Sequence, residues 1–351
     1  MTKAKKYAIN GAIGGGILAA IINVIDQNSG SKKDKPFDWK EFFLWLIGGV
    51  TIGGGIGLAT GAITDHVNSL EEPLDLEYLL HAHLNSIRLD KKDHQYNALR
   101  KKSDWLIEVL RNEFKDDLKL TPYRFGSTEQ GTALKETFDI DICLSFKPKT
   151  FTSITAMMDE VFTFLKTFNG INGIRHIRKQ KKSVGLLFHV NGEEMKIDIL
   201  PYQCSKEYKN DHSGYMCVNK GMFEAPSRAK TDVQLLSNIR LSETQKKILV
   251  ILKDWKQKAY IPISSHLLQY LILEAYKENE GHIPSGFAEK IIMTMCFIEE
   301  NLVSIRLHGV ENTNNVLTDI PLSKKEDIVL ACGNVIDDFE YQPNSILQII
   351  R

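Results

Sequence analysis

Three aspartates and a Gly-Ser pair are the residues whose types and spacing could do chemistry. Gly126-Ser127 offers a tight turn whose backbone N–H groups and hydroxyl can hold phosphate. Asp139 and Asp141 follow in a run that alternates Phe138, Asp139, Ile140, Asp141, Ile142. Side chains on a strand alternate between faces, so Ile140, Ile142 and Leu144 enter a core while both aspartates leave the opposite face. Two carboxylates about 7 Å apart on a rigid strand suit a divalent ion carrying a nucleoside triphosphate. A third is Asp198, in a later β-run where Met195, Ile197 and Ile199 share the other face. A lone aspartate there is usually an exposed edge residue. Set by an antiparallel hairpin beside the Asp-x-Asp strand, it completes a site for metal-assisted nucleotidyl transfer. That chemistry uses two Mg²⁺ ions, or Mn²⁺ in their place, about 3.5–4 Å apart. Asp139 and Asp141 would hold the ion that binds the triphosphate, and Asp198 would share the other and accept the proton of an attacking hydroxyl.

These residues need a sheet on a packed base, and the flanking sequence supplies one. Leu76 to Ser86 has helical spacing, and Tyr96 to Phe114 reads as a long amphipathic helix through Leu99, Leu106, Val109 and Leu110. Another helix covers Thr152 to Phe168. Ser183 to Val190 and Met195 to Leu200 flank Asn191-Gly192, a strong two-residue hairpin signal. Ahead of that hairpin lies a basic cluster, Arg175, Arg178, Lys179, Lys181 and Lys182. It fits triphosphate or an oligonucleotide as well as it fits a solvated strand edge. Beyond it the chain turns helical. Ser242 opens a helix with Gln245 in the capping-box position, Ser264-Ser265 precede His266 to Lys277, and Ala288 to Leu302 is a further helix. The tail from Asp337 to Arg351 is weakly patterned. Strands followed by helices give an α+β class. Residues 70–235 form the sheet-bearing core and residues 236–351 a C-terminal helical domain.

The first 66 residues differ in kind. Tyr7 to Ile25 is a 19-residue apolar segment broken only by Asn10 and Asn23, and Phe42 to Ile63 runs 22 residues without a charge. Each is long enough to cross a bilayer as a helix. Small residues recur every fourth position: Gly11, Gly15, Ala19, then Gly49, Gly53, Gly57, Gly61. Such a stripe lets helix backbones approach closely in lipid and gives a route to oligomers. In water, that much glycine costs about 1 kcal/mol per residue relative to alanine. A membrane-spanning hairpin over residues 1–66 is therefore expected, with a cleaved signal peptide and a soluble buried hairpin as the alternatives.

Composition narrows the partners. The chain has 351 residues, with 44 Lys+Arg and 44 Asp+Glu. Zero net charge argues against a protein that coats nucleic acid and favours small charged substrates at a local site. Five dispersed cysteines without a CxxC pair read as reduced thiols. Cys204, His212 and Cys217 match no standard zinc spacing.

The set Gly126-Ser127, Asp139-x-Asp141 and Asp198 resembles the DNA polymerase beta nucleotidyltransferase superfamily. The fuller runs GSTEQGTALKETFDIDI and KIDILPYQ are similar to the bacterial CD-NTases, relatives of cyclic GMP-AMP synthase and the oligoadenylate synthases. Downstream pieces agree: Pro226, Asn238 before Leu241-Ser242, then LVILKDWK and ISSHLLQYLILE. The resemblance covers about Leu76 to Glu300. It implies a polymerase beta-like core facing a C-terminal helical domain, with Lys253 and Ser264 or Ser265 contacting the triphosphate. It also implies synthesis of cyclic or linear nucleotide messengers from nucleoside triphosphates in antiphage signalling, with a separate effector protein. With the apolar hairpin, the expected place is a bacterial inner membrane with the catalytic domain cytoplasmic; a wholly cytoplasmic protein is the alternative. A different class of protein, a nucleotide-gated membrane channel, makes the hairpin the effector. A third extends RNA ends.

Overall fold

The computed structural model describes residues 75–205, 213–220, 224–233, 239–308, 316–318 and 320–350. The expected hairpin of residues 1–66 lies outside them. Among the described residues no helix is long and apolar enough to cross a membrane.

The chain divides into two compact units. One, a sheet unit, comprises the described residues of Ile87–Val250 with those of Arg306–Asp319. The other, a helical unit, comprises the described residues up to Ser86 with Ile251–Ile305 and residues 320–350. The described elements in chain order are α1 (Leu76–Ile87), α2 (His94–Glu113), β1 (Tyr123–Phe125), α3 (Gly126–Gln130), β2 (Asp139–Phe146) and α4 (Ile154–Lys166). Then follow β3 (Ile174–Lys179), β4 (Val184–Val190), β5 (Glu193–Cys204), β6 (Gly214–Val218) and β7 (Ser227–Thr231). The last are α5 (Glu243–Lys258), α6 (Ser265–Glu278), α7 (Phe287–Asn301), α8 (Leu322–Tyr341) and a 3₁₀ segment (Pro343–Ile350).

In the sheet unit seven strands form one mixed sheet. Five follow the order β1-β2-β5-β4-β3, and β6 and β7 extend it from β5. β4 and β5 are the expected hairpin, turning at Asn191 and Gly192, both with positive φ. The expected antiparallel hairpin thus carries Asp198, and its second strand, β5, lies parallel to β2, with Asp141 opposite Asp198. The cause is the connection, because α4, β3 and β4 intervene and form a crossover that returns β5 in the same direction as β2.

Period-two patterning decides which face is buried. Ile140, Ile142 and Leu144 of β2 and Ile197 and Ile199 of β5 are fully buried. They pack with Leu99, Leu106 and Leu110 of α2 and Met157, Val161 and Leu165 of α4. Both helices begin at side-chain caps, Asp93 accepting from Gln95 and Tyr96 and Ser153 from Ala156. One sheet face is thus sealed by two helices, which holds the strands rigid.

The helical unit is tied by two polar clusters. Glu77 of α1 accepts from the N–H groups of Phe287 (2.7 Å) and Ala288 (3.0 Å), placing a carboxylate at the start of α7. Asp254 of α5 accepts from His83 (2.8 Å) and Lys258 (2.9 Å), and Lys258 also donates to Ile350 O at 3.0 Å. Burial raises the Asp254 carboxyl, but these hydrogen bonds outweigh it and hold it below the usual range.

Candidate active site

The site begins with strand register. Asp139 and Asp141 are two apart on β2, and Asp198 is opposite Asp141 on β5, so all three leave the face that α2 and α4 do not cover. Each offers a carboxylate oxygen, and these atoms lie within 4.8 Å of one another. All three residues are half-buried. They are the one His/Cys/Asp/Glu group among the described residues that could hold an ion.

Three like charges this close must be compensated. Burial, followed by the charge of Asp139, pushes the Asp198 carboxyl up to about 6. A hydrogen bond from Gln180 and the charges of Lys196 and Arg178 oppose that rise. Gln180 Nε2 donates to Asp198 Oδ1 at 2.9 Å, and the Gln180 backbone carbonyl accepts from Asn219 Nδ2 at 2.6 Å. Ser183 Oγ donates to Gln180 Oε1 at 3.1 Å, so the amide is fixed at both ends. Gly185, paired with Asp198, makes room: a Cβ there would stand 2.0 Å from Gln180 Nε2.

Gly126 shapes the opposite side. It starts α3 with φ of +81°, a region L side chains rarely adopt. An added Cβ would lie 2.2 Å from Asp141 Oδ2. The backbone of the Gly-Ser turn therefore rests directly against the Asp141 carboxylate. Ser127 is the second residue of α3, and its carbonyl accepts from Thr132 N at 2.9 Å.

The structure brings Gly126, Asp139, Asp141 and Asp198 together as expected. Lys253, Ser264 and Ser265 belong to the helical unit. There Ser264 caps α6, accepting from Leu267 N at 3.1 Å, and Ser265 begins the helix. Lys253 lies half-buried on α5. Gln180, Asn219 and Lys196 were missed by the sequence reading. Gly185 was the available signal, because a glycine inside a strand marks a close approach. Cys204 and Cys217 are buried and engage Ser145 (3.3 Å) and Asn219 (3.6 Å), while His212 lies outside the described residues.

The sequence matches no family model and no curated protein. Solved structures do match. Escherichia coli MS115-1 CdnC in complex with HORMA-deltaN superposes with a TM-score of 0.57 at 18% identity, over 77% of this chain and 93% of that one. The Bradyrhizobium diazoefficiens CD-NTase CdnG in complex with GTP gives 0.57 at 10% identity, over 79% and 96%. The Elizabethkingia meningoseptica CdnE cyclic dinucleotide synthase with GTP and Apcpp gives 0.56 at 11% identity, over 77% and 99%. The fold of this chain is that of the CD-NTase structures, a mixed α+β nucleotidyltransferase-like fold.

Proposed function

We propose that this chain is a template-independent nucleotidyltransferase joining nucleoside triphosphates into a cyclic or linear oligonucleotide with release of pyrophosphate. The observation that carries the proposal is the carboxylate triad, its donor atoms within 4.8 Å on one face of a CD-NTase-like sheet. The donor set suits the ion such chemistry needs, because all three ligands are hard carboxylate oxygens of the kind Mg²⁺ prefers. A bound divalent ion would supply neutralisation of triphosphate charge and a more acidic attacking hydroxyl.

The chain's own residues do the rest. Asp139 and Asp141, on a strand whose other face is locked in the core, fix where the donor triphosphate is held. Asp198, opposite Asp141 on the neighbouring strand, is placed to accept the hydroxyl proton. Gln180 orients it. The turn at Gly126-Ser127 lies against Asp141, where its backbone N–H groups suit phosphate oxygens. Lys253 and Ser264 or Ser265 are kept as triphosphate contacts, each testable by the KM for donor.

The resemblance read from the sequence extends the proposal to bacterial antiphage signalling through a separate effector protein. It also extends it to membrane attachment through residues 1–66. Recovery of the full chain in the soluble fraction without detergent would remove the membrane part. The catalytic proposal is tested by incubating the full chain with Mg²⁺ and mixed NTPs and dNTPs, then identifying products by mass spectrometry. Oligonucleotides and pyrophosphate are expected, and no product from any mixture overturns it.

A further inference from the structure

The basic cluster ahead of β4 has no part in the chemistry above, and the sheet sorts it. Residues directly paired across neighbouring strands project from the same face. One row runs Ile140, Ile197, Leu186, Ile177, all buried against the helices. The next runs Asp141, Asp198, Gly185, Arg178, and so projects from the opposite face. The one after runs Ile142, Ile199, Val184, Lys179, back on the helix side. Lys179 is indeed there: it pairs with Asp159 of α4, and its Nζ lies 5.0 Å from the Phe162 ring centroid. Adjacent basic residues thus serve different faces. Lys179 seals the packing of α4, whereas Arg178 stands with the carboxylates.

Arg178 is two strands beyond Asp198, roughly 10 Å between backbones. Gly185 between them has no side chain, and the Gln180 amide lies over it. A neighbouring row, Asp139, Lys196, Leu187, His176, puts Lys196 on the same face. Both cations are exposed, and both are felt electrostatically at Asp198. Among the described residues Arg178 has no ion-pair partner.

We infer that Arg178, with Lys196, binds the phosphates of the acceptor nucleotide, the one whose hydroxyl attacks. This rests on the nucleotidyl transfer proposed above and deepens it. The order across the sheet is Gly126, Asp141, Asp198, Arg178. Donor phosphates belong at the Gly126 end and the attacking hydroxyl at Asp198. An acceptor reaching in from the far side then carries its own 5′-phosphates over Arg178, whose planar fork matches phosphate oxygens. The step balances. The acceptor hydroxyl oxygen bonds to the donor α-phosphorus, the α–β phosphoanhydride bond breaks, pyrophosphate leaves and the proton goes to Asp198. Arg178 and Lys196 stay protonated and act by holding the acceptor.

The test uses the full chain with a 2′,3′-dideoxynucleoside triphosphate as donor, which cannot act as acceptor. The acceptors are a nucleoside, its 5′-monophosphate and its α,β-methylene triphosphate, which cannot act as donor. In the wild type the acceptor KM falls as phosphates are added. In Arg178→Gln the KM of the triphosphate acceptor rises about tenfold or more, toward that of the nucleoside. The donor KM stays unchanged, and Arg178→Lys recovers part of the loss. Lys182→Gln removes the same charge from an exposed turn and changes none of these values. Unaltered dependence on acceptor phosphates in Arg178→Gln overturns the inference, as does an equal loss in Lys182→Gln. If the wild type forms no product with any acceptor, the nucleotidyl-transfer reading itself fails. Calorimetric titration of a 5′-phosphorylated dinucleotide, with non-hydrolysable NTP saturating, then decides the phosphate site alone. Binding about tenfold weaker in Arg178→Gln supports it, and equal affinity overturns it.

Discussion

Replacing Gly126 with alanine tests whether the close approach of the Gly-Ser turn sets the metal-site geometry. Two costs can be separated. The first is conformational: an L side chain at φ of +81° costs about 1–2 kcal/mol of stability. The second is local: the new Cβ would sit 2.2 Å from Asp141 Oδ2, whereas ordinary contacts begin near 3.4 Å. The carboxylate or the turn must retreat by roughly 1 Å, a displacement that can cost about 100-fold in rate when catalytic groups are involved. Gly192 supplies the control. It also has positive φ, +93°, but a Cβ there meets nothing within 4 Å. Gly126→Ala and Gly192→Ala should therefore lose similar stability in denaturant melts, while only Gly126→Ala loses about 100-fold in kcat for pyrophosphate release. Turnover of Gly126→Ala within a few-fold of the wild type would refute the reasoning. So would an equal loss in Gly192→Ala, which would make backbone strain the whole effect.

Two further outcomes follow from groups already described. Asp198 is raised from 3.8 to about 6, so the metal-free fold is favoured by its protonation, and that contribution disappears as pH rises through this window. Divalent-ion affinity runs the other way, because the ligand is the carboxylate. It should strengthen as pH rises through about 6 and level off above about 7, and a flat titration series would contradict the assignment of Asp198 as a ligand. In the helical unit, Glu77→Ala leaves the N–H groups of Phe287 and Ala288 without their carboxylate and should cost about 1–2 kcal/mol in chemical denaturation. Glu77→Gln, which keeps an acceptor oxygen, should cost less; equal losses would remove the charge argument.

The alternation at Phe138 to Ile142 made the Asp139–Asp141 pair legible, because a two-residue period leaves little freedom once one face is buried. Asp198 was legible by type, by pattern and as a neighbour of the Asp-x-Asp strand, but the direction of its strand was not. The direction of β5 relative to β2 depends on the intervening crossover, which no local pattern encodes. Gln180 was hidden because its position comes from the turn between β3 and β4 and from the opening at Gly185, not from any spacing rule. β3 reads Ile-Arg-His-Ile-Arg-Lys, and an irregular register between Ile174 and His176 breaks its alternation. Only the pairing could divide Arg178 from Lys179. Helix α8 escaped for a related reason: its buried residues Ile328, Cys332, Ile336 and Phe339 keep helical spacing, but small and acidic residues between them dilute the stripe.

The central claim is that the three carboxylates act together on a nucleoside triphosphate. The most direct measurement is divalent-dependent pyrophosphate release by the wild type and by Asp139→Asn, Asp141→Asn and Asp198→Asn, with metal affinity read calorimetrically on the same samples. The account predicts pyrophosphate and oligonucleotide from the wild type, and loss of both turnover and metal affinity in each variant while the fold is retained. Unchanged turnover in the three folded variants would contradict it.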